Sequence, residues 1–170
     1  MVYNSWLFLN ACIAGFSFVS VQAQEVHYVS FTNNCDKGTP VLGGPYGQFY
    51  TGGGSYEFSG PALGLISILS SRSYLQYTDE DGNDVCGENG EGCTMVEASL
   101  TNQGSNADIT LIPPHVFSVT SGFGYYGGCD GAGADCTSED CAPAIRNSSQ
   151  VGLAVSCAAP NVSLAVTFCD

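Results

Sequence analysis

Apolar residues fall at alternate positions along several short stretches of this chain. In "VSLAVTFCD" Val162, Leu164, Val166 and Phe168 alternate with small or polar residues up to Cys169, the pattern of a strand with one buried face. "EVHYVSFT", "ALGLISIL", "TMVEASLT", "ADITLI", "HVFSVTSG" and "GLAVSC" are further period-two or short apolar segments. Between them lie turn-forming runs such as "YTGGGS", "DEDGND" and "GGCDGAGADC", and Pro160 and Asn161 suit a turn joining two antiparallel strands. No stretch of helix length shows a 3.6-residue period. Many short strands separated by turn chemistry predict an all-β sandwich or barrel.

Alternation also assigns faces. Val96, Ala98 and Leu100 share one side of their strand, leaving Glu97 on the other beside Met95 and Ser99. Ala107, Ile109 and Leu111 likewise leave Asp108 opposite, with Thr110. The two carboxylates are therefore expected on outer faces, as solvated charges or as part of a site.

Composition changes this picture in three ways. Residues 1–23, "MVYNSWLFLNACIAGFSFVSVQA", form an apolar run ending in the small-residue pattern of Val21 and Ala23, which reads as a signal peptide rather than a membrane anchor. Residues 24–170 then form a single domain, with no composition break. Eight cysteines remain beyond Cys12. An even number on an oxidising export route predicts a disulfide framework. "CTSEDC" and "CGENGEGC" lack the short knuckles and histidines of zinc sites, and His27 and His115 stand alone, so neither metal nor cofactor is expected. Sixteen acids against three bases give a net charge of −13, which opposes nucleic acid and anionic membranes as partners. An acid-tolerant monomer is expected. Asn147 in "NSS" and Asn161 in "NVS" are N-glycosylation acceptors.

Taken in order, "FTNNC", "VEASLTN", "ADITLIPPHVFSVTSGFGYYGGC" and the final "VTFC" resemble landmarks of the thaumatin-like proteins, spread over nearly all of residues 24–170. With "GCDGAGADC" and the two sequons, the chain resembles the small secreted thaumatin-like proteins of fungi. The resemblance implies a thaumatin-like antiparallel β-sandwich without the family's disulfide-rich second domain, because only a short interval separates "GGC" from the last strands. It implies Cys35–Cys169 and Cys129–Cys157, and beside them the local pairs Cys86–Cys93 and Cys136–Cys141.

The resemblance also implies an acidic cleft associated with binding, and sometimes hydrolysis, of β-1,3-glucan. Glu97 and Asp108 match two of its acids; Pro113 stands where a further Asp belongs, and Arg72 is the candidate Arg, about two residues out of register. Glu97 and Asp108 could serve as a catalytic carboxylate pair. Tyr125 and Tyr126, with Phe123, are candidate platforms for sugar rings, or else buried core. "TDEDGNDVCGENGEGC" spaces Asp79, Asp81, Asn83 and Asp84 somewhat like a calcium loop, but it lacks Gly at the sixth position and Glu at the twelfth, so an acidic hairpin is the better reading. The expected function is a secreted or wall-associated carbohydrate-binding defence protein with β-1,3-glucan as partner. The alternatives are a weak endo-β-1,3-glucanase using Glu97 and Asp108, and an effector or elicitor acting through a protein receptor.

Overall fold

A computed structural model of the chain describes residues 24–70, 86–87 and 89–169. The expected leader at 1–23, Arg72 and the acidic run at 79–84 lie outside the described residues.

Among the described residues twelve strands make two sheets: β1 (Val26–Asn33), β2 (Thr39–Gly43), β3 (Phe49–Thr51), β4 (Gly54–Ser59), β5 (Ala62–Ser70), β6 (Met95–Leu100), β7 (Ser105–Thr110), β8 (Ser121–Tyr126), β9 (Gly133–Cys136), β10 (Ala144–Ile145), β11 (Val155–Cys157) and β12 (Ser163–Phe168). One sheet runs β4-β1-β12-β8-β9; the other runs β10-β7-β6-β5-β2-β3, with β11 also paired to β7. The described helices are two short 3-10 turns, Pro45–Gly47 and Ser148–Leu153.

The expected β-sandwich is present, with one correction: the sheets are mixed. β1 lies parallel to β12 and β10 parallel to β7, while the other strand pairs are antiparallel. Parallel pairing follows from where the chain re-enters each sheet. β12 comes from the far side by a crossover and finds the free edge of β1, which no hairpin could reach. The Pro160–Asn161 turn accordingly does not join neighbouring antiparallel strands. It carries the chain from β11 in one sheet to β12 in the other. "HVFSVTSG" is the other departure. Its first six residues form a loop, whose backbone bonds to Thr94: Ser118 N donates to Thr94 Oγ1 at 2.9 Å, and Thr94 Oγ1 donates to the Val119 carbonyl at 3.1 Å.

Alternation fills the space between the sheets. Val29 and Phe31 of β1, with Leu164, Val166 and Phe168 of β12, face Leu65 of β5, Val96, Ala98 and Leu100 of β6, and Ala107 and Ile109 of β7. Phe31 and Phe168 stack with ring centroids 6.1 Å apart. Met95 points the other way and joins Val41, Ile68 and the Cys86–Cys93 disulfide in a smaller outer cluster. Both histidines are structural. His27 is fully buried, its Nδ1 2.6 Å from the Val162 carbonyl and its Nε2 2.9 Å from a Glu25 carboxylate oxygen, and His115 Nδ1 is 2.9 Å from the Gly90 carbonyl.

All four expected disulfides are formed: Cys35–Cys169, Cys86–Cys93, Cys129–Cys157 and Cys136–Cys141. Their sequence separations are 134, 7, 28 and 5 residues. In the chain-entropy account these loops constrain the unfolded chain by ~5, ~2.5, ~3.5 and ~2 kcal/mol respectively. Replacing both Cys35 and Cys169 by Ser should therefore lower the denaturant midpoint more than replacing Cys136 and Cys141. Urea unfolding of the two double variants checks this, and an equal or reversed order would contradict it.

Candidate functional site

Glu97 and Asp108 are direct cross-strand partners, paired in register on β6 and β7. Val96, Ala98, Ala107 and Ile109 turn into the core, so the two acids turn outward together, with Cβ atoms about 4.5–5.5 Å apart as for any such pair. Both are half-buried. On β5 the neighbour of Glu97 is Ile66, and next to it on β2 is Gly43. A Cβ on Gly43 would stand 2.5 Å from Ile66 Cγ1, so the missing side chain gives Ile66 room beside the acids. One register step away, Ile68, Met95 and Thr110 share the outer face, beneath the loop closed by Cys86–Cys93. In the other direction lie Ser99, Asn106 and Ser156. The acid pair thus occupies a boundary between an apolar patch and a hydroxyl-rich one.

The electrostatics follow from this crowding. Asp108 is pushed up to about 6, first by burial and second by the negative charge of Glu97. Tyr125 is also pushed up, by burial and then by Asp108. Below about pH 6 a proton on Asp108 gives the pair one donor oxygen beside acceptor oxygens, which suits vicinal hydroxyls.

The other expected site residues do not gather here. Tyr125 is 3% exposed, its hydroxyl donating to the Val155 carbonyl at 2.9 Å, and Phe123 packs edge-on against it. Neither ring offers a face to a sugar; alternation on β8 directs both inward, which corrects the platform reading. Tyr126 points to the outer face of the other sheet, its hydroxyl 2.9 Å from Ser30 Oγ. Two sheets about 10 Å apart therefore separate it from Glu97 and Asp108. Arg72 lies outside the described residues. Arg146, unassigned from sequence, is taken up by its own neighbourhood: its guanidinium donates to the carbonyls of Glu139, Cys141 and Ala144, bracing the Cys136–Cys141 loop. Asn147 and Asn161 are both exposed. Asn147 caps the second 3-10 turn, and Asn161 Oδ1 accepts from Val26 N at 3.1 Å. Among the described residues no cluster of three or more His, Cys, Asp or Glu is placed to hold a metal.

A folded-state pKa raised above the unfolded value means that Asp108 favours folding below about pH 4 and opposes it once pH passes about 6. Asp108→Asn should consequently gain melting temperature over the unsubstituted protein as pH rises from 4 to 7. Thermal melts across that range check it; parallel curves for the two proteins would contradict the assigned burial.

No protein-family model and no curated sequence matches the chain. Solved structures do. The thaumatin-like xylanase inhibitor TLXI matches with a TM-score of 0.52 at 19% identity, over 84% of this chain and 99% of the inhibitor. The protein elicitor MoHrip2 from Magnaporthe oryzae matches with a TM-score of 0.52 at 14% identity, over 85% of this chain and 99% of the elicitor. The order of strands, the four disulfides and these two likenesses together give the chain the thaumatin-like fold.

Proposed function

We propose that the chain is a secreted, N-glycosylated protein of the defence or effector type that binds cell-wall carbohydrate, β-1,3-glucan in particular. The observation that carries this reading is the in-register pair Glu97 and Asp108 on one rigid outer face. Two carboxyl groups beside a strip of hydroxyl and amide side chains can accept and donate hydrogen bonds to sugar hydroxyls, while Ile66 covers the apolar face of a ring. Four disulfides fit export through an oxidising compartment. The likeness to a xylanase inhibitor and to an elicitor supports an extracellular role, and keeps a protein receptor as the competing partner.

One observation favours a hydrolytic reading as well. A carboxyl group pushed up to about 6 beside a second acid is the arrangement from which a general acid is made. Binding and hydrolysis make opposite demands on pH. As an acceptor, Asp108 binds better above pH 6, where it is ionised; as a general acid, it works only below that.

Pull-down on insoluble β-1,3-glucan, followed by assay of released reducing sugar, tests both. Glu97→Gln and Asp108→Asn should each weaken binding by ~0.5–1.5 kcal/mol, up to about tenfold in affinity, with the fold unchanged. Loss of sugar release with binding retained would favour the enzyme. Wild-type binding in both variants would remove the acid pair from the function and leave the receptor-mediated reading in its place.

A further inference from the structure

On a different part of the molecule, an aromatic pocket of about 360 Å³ opens where β3 and β4, the edge strands of the two sheets, come together. It lies three strand spacings from β6, about 14 Å from the strand of Glu97. Its walls are Tyr50 and Phe58, its rims Pro45 and Pro61, and its polar groups Gln48 and Glu57. Tyr46 also lines it.

Tyr46 is unusual on two counts. Its side chain is fully exposed, although the residue belongs to the pocket's lining. Its backbone is left-handed, at φ 64°, a conformation that costs a bulky residue about 1–2 kcal/mol. The chain thus holds a large ring in water at a conformational cost with no packing return in the free protein.

The wall behind it is built in advance. The Tyr50 ring lies 5.0 Å from that of Tyr56 and 5.8 Å, edge-on, from that of Phe58. Gly44 makes room for it, because a Cβ there would stand 2.9 Å from Tyr50 Cε2. Polar groups are held as firmly: the Tyr50 hydroxyl donates to Gln48 Oε1 at 2.6 Å, and the Tyr28 hydroxyl to Glu57 Oε2 at 2.9 Å. Each of those bonds uses one end of its acceptor. The Gln48 amide nitrogen and the second Glu57 oxygen remain as a donor and an acceptor for a ligand.

We infer that this pocket is a second carbohydrate site, taking one ring of a neutral β-linked hexose oligosaccharide between the Tyr46 face and the Tyr50 wall. Aromatic faces cover the C–H side of a pyranose, and Gln48 with Glu57 reads its hydroxyls. No Lys or Arg lines the pocket, and the net charge of −13 disfavours anionic ligands. An open platform rather than an enclosed cage suits a flat neutral ring better than a lone cation. The site is independent of Glu97 and Asp108, and stands or falls separately from them.

Laminarihexaose and cellohexaose, at millimolar concentration, are the probes, with a proline-rich peptide and an oligolysine peptide as controls. NMR titration should show at least one hexaose shifting the ring resonances of Tyr46 and Tyr50. Tyr46→Ala should weaken that binding about tenfold, and Tyr46→Phe should restore it to within about twofold, since the ring face rather than the hydroxyl makes the contact. Because the Tyr46 ring is fully exposed, its loss leaves the fold intact. The same ring shifts should persist in the double variant Glu97→Gln, Asp108→Asn, which separates this site from the acid pair. Absence of ring shifts with both hexaoses, unchanged binding by Tyr46→Ala, or shifts produced by a peptide alone would each overturn the inference.

Discussion

The parallel pairing of β1 with β12 is the constraint on which the rest of the molecule depends. Val29 to Asn33 lie against Leu164 to Phe168 in unbroken register, and this pair forms the middle of the five-stranded sheet. Inward residues of both strands, Val29, Phe31, Leu164, Val166 and Phe168, lie in the main core. Three further ties hold the register at its ends: the Val162 carbonyl on His27, Ser163 Oγ accepting from Tyr28 N, and Asn34 N donating to the Phe168 carbonyl. The Cys35–Cys169 bond then locks the pair beyond its last residues. A one-residue slip would turn Leu164, Val166 and Phe168 out to water, and would break all of these contacts together.

The core was legible in the sequence to the extent that side chains alternate cleanly. Val162 through Phe168, Val96 through Leu100 and Ala107 through Leu111 read correctly because β-strand geometry alone decides their facing. β8 was less legible. Its "SGFGYY" places glycines on the outer face, so no polar alternation marks it, and the apolar residues of the loop before it, Val116 and Phe117, mimic a strand. β2, β3, β9 and β10 have five, three, four and two residues, too few to show alternation, and they exist because a neighbouring strand supplies the pairing. Parallel order was invisible for the same reason: it is a property of which edge is free, not of local pattern.

For the candidate site, facing was readable but neighbourhood was not. Sequence placed Glu97 and Asp108 outward on separate strands; their exact opposition depends on the β6–β7 register, which no local signal encodes. Tyr125 and Tyr126 are adjacent in sequence and therefore on opposite sides of one sheet, so they could never have served a single surface. Tyr46 carried no sequence signal at all. Its significance comes from exposure and a left-handed backbone, both set by the tight turn between β2 and β3.

The position of β12 also has a consequence for the order of events during synthesis. The strand lies between β1 and β8, so the five-stranded sheet cannot close until its final member has left the ribosome. Until then β1 has only β4 beside it, and its other edge is open. Cys35 meanwhile carries a thiol whose partner has not been made, while Cys86, Cys93, Cys129 and the rest emerge past it. Local pairs separated by 5 and 7 residues can close early and remove four of those competitors. Contacts of such long range are slow to form, so the short loops act as kinetic guards for the long one.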